Sequence, residues 1–148
     1  MCRRAASSEG RIPCGPAIRF LLDGDRSDGS RALFEFDVPT GARLPAAHSY
    51  DGYDETIDGI RGTLTGTIQG RAIEVGPGEA LHIRRGIVHR FDNHGTEDAT
   101  PLAVVTPGIL SPSDFRELAA AAEASAGGPP DLPEIHRIMR RHGLTPAD

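Results

Sequence analysis

The chain has 148 residues, enough for one compact domain with a real hydrophobic core and too few for two ordinary ones. A formal net charge of -5 and a pI near 5.6 argue against a phosphate-tracking surface, so nucleic acid is not an expected partner. No apolar run approaches the roughly 20 residues that cross a bilayer, and the start of the chain lacks the apolar stretch of a secretory signal. No membrane association is expected, and a cytoplasmic location is the default.

Residues 1–16, MCRRAASSEGRIPCGP, are polar and aperiodic and read as a loose leader outside the fold. Cys2 and Cys14 both fall there, with no framework to staple, and neither a disulfide nor a metal role is expected of them. The chain holds 18 glycines and 12 prolines, and from residue 17 to about 108 short runs rich in Val, Ile, Leu, Phe and Thr lie between turns marked by such residues, the pattern of an all-β core. IRFLL reads as a strand from Ile18, DGDRSDG as a turn and RALFEFDV as a second strand, together a hairpin. VPTGARLPAAHSY then leads to His48 and Tyr50, which share one face of a strand because side chains alternate. Asp51-Gly52 marks a turn, and DETIDGI follows with Glu55, Ile57 and Gly59 on one face. RGTLTGTI continues after Gly62, Gln69-Gly70 supplies a hairpin turn, and RAIEV runs into Gly76-Pro77-Gly78. ALHI and VHRFD flank a break at Gly86, and TPLAVVT closes the series at Thr106. Antiparallel strands this dense close most economically as a barrel or jelly roll, which limits exposed edges.

Past Pro107 the pattern changes, and residues 109–148 read as a helical extension. Ser111-Pro112-Ser113-Asp114 places a capping serine, a first-turn proline and an early acidic residue ahead of FRELAAAAEA, and AGGPP ends that helix. Asp131-Leu132-Pro133-Glu134 repeats the signal before IHRIMRRH, which has basic residues in its last turn and Gly143 as a stop. Two short C-terminal helices on the outside of the barrel are expected.

The chemistry-bearing residues are His48, Glu55 and His89, with Tyr50 beside them. Two imidazoles and one carboxylate are the usual protein set for an oxygen-activating iron site or for related divalent ions, and the inner wall of a small barrel can make such residues converge. Spacing alone is modest support, since a lone histidine in a strand is more often structural than a ligand. Glu55 reads either as a buried general base or as the partner of a cation; an isolated inward carboxylate is costly, which favours the cation. Phe91 has the parity of His89 and reads as a cavity or core aromatic. Tyr53 and Asp54 border the mouth. His82, in an otherwise apolar strand, is either a structural histidine or an acid-base group of the substrate pocket. Arg85 is either a plain surface charge or a guide for an anionic substrate. His94, His136 and His142 read as solvated residues without converging partners.

Gly41, His48, Tyr50, Glu55 and Gly62, spaced G-x6-H-x-Y-x4-E-x6-G, resemble the first motif of the cupin superfamily, G-x5-H-x-H-x3,4-E-x6-G. Gly78, Arg84, Gly86, His89 and Asn93, spaced G-x5-R-x-G-x2-H-x3-N, resemble the second, G-x5-P-x-G-x2-H-x3-N. The resemblance covers about residues 19–108 and implies a small single-domain cupin: a β-barrel of the double-stranded β-helix or jelly-roll kind. One extra residue before His48 changes a loop length, and Arg84 for proline changes a strand end. Tyr50 for histidine is a chemical departure, because it removes one of four expected metal ligands.

Carried over position by position, the resemblance implies that His48, Glu55 and His89 hold a divalent transition metal (Fe, Ni, Mn or Zn), while Asn93 fixes a turn. Tyr50 has three readings: a phenolate fourth ligand, a neutral phenol that donates a hydrogen bond or proton to substrate, or a filler of a degenerate site. Phe91, Tyr53 and His82 would line a small-molecule pocket. The implied activities are a dioxygenase acting on an enol or phenol, as in flavonol-cleaving cupins, or a Lewis-acid isomerase or polyketide cyclase. The rival is a metal-free cupin that binds a small ligand as a sensor or accessory protein. Family resemblance also implies a homodimer.

Overall fold

In a computed structural model of the chain, the described residues are 17–42, 47–124, 129 and 131–147. The leader, with Cys2 and Cys14, lies outside them. Ten strands and two helices follow in order: β1 (Ile18–Leu22), β2 (Ala32–Phe36), β3 (His48–Tyr50), β4 (Asp54–Arg61), β5 (Leu64–Ile68), β6 (Arg71–Val75), β7 (Ala80–Ile83), β8 (His89–Asp92), β9 (Thr100–Thr106), α1 (Pro112–Glu123), α2 (Leu132–Arg141) and β10 (Leu144–Pro146).

The strands form two five-stranded sheets, one in the order β1-β2-β9-β4-β7 and the other in the order β10-β3-β8-β5-β6. Every pairing is antiparallel. Phe34, Ile57 and Val105 from the first sheet join Tyr50, Leu64 and Phe91 from the second in one buried cluster, so the sheets face each other across a shared core. The Phe36 and Phe91 rings meet across that gap at 6.0 Å. This is the all-β double-stranded β-helix expected from the motifs.

Local chemistry explains the strand pattern. β2 and β4 alternate buried and half-exposed residues, which puts Glu55, Ile57 and Gly59 inward together. Gln69 and Gly70 both have positive φ, 48° and 81°, and join β5 to β6 with Ile68 opposite Arg71, the two-residue turn whose twist suits a hairpin. Gly62, at φ 66°, passes so close to the Asp98 carbonyl that a Cβ there would lie 2.4 Å from its oxygen. That contact gives a physical reason for the glycine ending the first motif.

The two expected C-terminal helices are present as α1 and α2. Rather than resting on an outer wall alone, the extension reaches the core: Phe115 packs its ring against Phe34 at 5.2 Å and Phe20 at 5.8 Å, and Met139 and Leu144 belong to the buried cluster. After α2 the chain turns at Gly143, φ 78°, and adds β10 to the edge of the second sheet.

Candidate metal centre

Both sheets contribute to the site. His48 and Tyr50 leave the same face of β3 with rings 5.3 Å apart. The β3–β8 pairing sets His48 opposite His89, and their rings meet edge-on at 4.7 Å. Tyr50 also meets His89 edge-on at 4.9 Å and stacks on Tyr53 at 4.3 Å. Glu55 enters from the facing sheet, on β4 between Ile83 of β7 and Val105 of β9. Its side chain is 2% exposed and that of His89 is completely buried.

The backbone fixes the orientation of His89. Nδ1 lies 3.0 Å from the Ile87 carbonyl oxygen, which can only accept, so Nδ1 carries the hydrogen. In the neutral ring, Nε2 is then a bare acceptor. It lies 3.4 Å from Glu55 Oε2, and neither atom has a hydrogen-bond partner. Two buried acceptors facing each other without a donor are unfavourable unless a cation or a proton joins them. The donor chemistry therefore fits a divalent ion. Among the described residues, however, no three His, Cys, Asp or Glu side chains are drawn together around one ion position. The contact between Glu55 and His89 is formed, and the His48 ring lies 4.7 Å from that of His89.

Burial first, then the Glu55 charge, pushes the Tyr50 hydroxyl well above the ordinary phenol range. It is a neutral donor as the site stands. Tyr53 is buried, its hydroxyl has no partner, and burial together with the charges of Glu55, Asp114 and Asp51 raises it too. Phe91 faces inward 5.5 Å from His89, as its parity requires.

His82 is not in this group. It lies on the exposed face of β7, opposite Thr56, with Nδ1 2.9 Å from the Thr56 hydroxyl. Alternation puts it outside because Ile83 next to it points in. Asn93, completely buried, donates to the carbonyls of Val38 and Glu97 and accepts from the Gly95 amide, each at 2.9 Å. It ties loops together, as expected from its place in the second motif. Arg85 pairs with Asp54, whose carboxyl is held below the usual range by that guanidinium.

Two features are not foreseen from the sequence. His142 has partners after all: Nδ1 lies 2.9 Å from Asp114 and Nε2 2.6 Å from Glu117. Those carboxylates belong to α1, and only helix packing brings them near. Asp92 is 1% exposed although its parity points away from the site; Arg90 holds Oδ2 at 3.0 Å and Oδ1 has no partner.

Facing antiparallel sheets around one core define a double-stranded β-helix protein. Residues 34–105 match the family model of the cupin domain. The chain belongs to the cupin superfamily, as a single small cupin domain. Among its relatives is the quercetin 2,3-dioxygenase of Bacillus subtilis (strain 168), 29% identical over 116 residues. That match takes in 76% of this chain and 33% of the enzyme, so the chain spans about a third of the relative's length.

Similar solved structures include a predicted oxalate decarboxylase from Thermotoga maritima, with TM-score 0.57 and 20% identity, covering 62% of this chain and 80% of that one. A Klebsiella pneumoniae protein with a double-stranded β-helix domain gives 0.56 and 21%, covering 71% and 84%. A sugar phosphate isomerase from Silicibacter pomeroyi gives 0.52 and 23%, covering 70% and 69%. At these identities the likeness is one of fold. No helix among the described residues is long and apolar enough to cross a membrane.

Proposed function

We propose that the protein is a metal-dependent small-molecule enzyme, a dioxygenase-like oxidoreductase acting on an enol or phenol. His48, Glu55 and His89 would hold a divalent transition ion. The observation that carries this reading is the pair of orphaned acceptors, Glu55 Oε2 and His89 Nε2, facing each other inside the barrel. The likeness to quercetin 2,3-dioxygenase supports oxidation over the alternative of a Lewis-acid isomerase or cyclase, which would use the same residues. Such an ion supplies Lewis acidity toward a deprotonated enol or phenol and, if redox-active, access to dioxygen.

The chain's own residues divide the remaining work. Ile87 locks the tautomer of His89, leaving Nε2 free to ligate. Tyr50, its ring 4.9 Å from that of His89, stays a neutral phenol and would be a proton or hydrogen-bond donor at the group. Phe91 and Phe36 form an apolar wall that excludes water.

A second reading is a metal-free cupin that binds a small ligand, and the lack of a closed three-donor set among the described residues favours it. There, a single proton between Glu55 and His89 would satisfy both atoms. Elemental analysis of protein purified without chelators separates the two. A stoichiometric transition metal that disappears in His89→Ala supports the enzyme; metal-free protein whose thermal transition is unmoved by added metal ions rejects it.

A further inference from the structure

The C-terminal strand lies outside the residues matched by the cupin model, yet it runs along the strand that bears His48 and Tyr50. β3 is only three residues long. On its β8 side, the described contacts are the His48–His89 pair and the Gly86 amide donating to the Tyr50 carbonyl at 2.7 Å. On its other side it is paired throughout: Leu144 with Tyr50, Thr145 with Ser49 and Pro146 with His48. Beyond those pairs, the Asp51 amide donates to the Gly143 carbonyl and the Ala147 amide to the Ala47 carbonyl, both at 2.8 Å. Hydrogen-bonded pairs alternate in an antiparallel ladder, so Thr145–Ser49 is the bonded pair between them and Pro146 falls where no amide hydrogen is needed.

Side chains fasten the same strand. The Thr145 hydroxyl donates to Asp51 Oδ1 at 2.8 Å, and Leu144 is buried in the core. At the end of α2, His142 bridges Asp114 and Glu117 of α1, and Arg141 pairs with Glu117. The turn at Gly143 then passes the Tyr53 ring, which stacks on Tyr50.

We infer that β10, fastened by the His142–Asp114–Glu117 contact, is the positioning element that holds His48 and Tyr50 in place in the site. Its link to metal affinity rests on the metal-binding reading above. Three measurements on the full chain test it, using wild type, Thr145→Pro, and Asp114→Asn combined with Glu117→Gln. They are zinc titration of chelator-treated protein, amide hydrogen exchange, and the near-ultraviolet tyrosine signal. With two tyrosines and no tryptophan in the sequence, that last signal comes from Tyr50 and Tyr53.

The expected result is zinc affinity weakened by about 10-fold or more, a diminished tyrosine signal and faster exchange at residues 49–51, with β2, β4 and β9 still protected. Variants that keep the tyrosine signal and the protection at 49–51 overturn the inference. Variants that bind zinc as tightly as wild type also overturn it and leave the metal reading standing. If wild type binds no zinc while the variants lose the tyrosine signal, the metal reading fails and the positioning role stands. Should Thr145→Pro not fold, the double variant, whose backbone is unaltered, decides between the same outcomes.

Discussion

His89 Nε2 and Glu55 Oε2 face each other across 3.4 Å inside the barrel, one from each sheet, with no donor between them. Glu55→Gln tests this opposition directly, because the new amide can donate to His89 Nε2. Metal-free protein should become more stable, by about 1 kcal/mol, and metal binding should weaken. Denaturant unfolding with and without added zinc reads both signs; a loss of stability in the metal-free form would show that no acceptor clash exists.

Tyr50→Phe removes a buried phenol hydroxyl beside the Glu55 charge, and unfolding should shift by no more than about 1 kcal/mol. Tyr50→His places an imidazole where the first cupin motif has one, adding a fourth donor beside His48, Glu55 and His89. Zinc should bind more tightly to Tyr50→His than to wild type by calorimetric titration. Equal or weaker binding would mean that side chains at position 50 cannot reach the ion.

Asn93→Ala separates scaffold from site. The buried amide satisfies Val38, Glu97 and Gly95, so its removal should cost at least about 2 kcal/mol in unfolding. Zinc affinity of the folded fraction should not change. A selective loss of affinity would move Asn93 into the site itself.

His82→Ala is the complementary control. With its ring outside the barrel on Thr56, unfolding should shift by no more than about 0.5 kcal/mol and zinc affinity should stay at the wild-type value. A large effect on binding would contradict its placement.

Much of the fold is legible in the sequence because strand periodicity is local. The alternation in β2 and β4, the turn at Gln69-Gly70 and the shared face of His48 and Tyr50 all follow from backbone geometry within a few residues. Which strands neighbour one another is not legible in that way. β4 lies between β9 and β7, distant in sequence, and only the motif resemblance implies that arrangement. β10 escapes notice because LTP after a helix stop is too short and proline-bearing to read as a strand; it exists by pairing with β3. The partners of His142 are hidden for the same reason, since Asp114 and Glu117 arrive through helix packing. His82 shows the limit of composition: a polar residue in an apolar strand can simply face out.

Anomalous diffraction from crystals of protein purified without chelators tests the metal claim most directly. The prediction is a peak between His89 Nε2 and Glu55 Oε2, about 2.0–2.2 Å from each, with His48 supplying the third contact. An empty position, with the Glu55 and His89 atoms drawn together into a hydrogen bond, would contradict it.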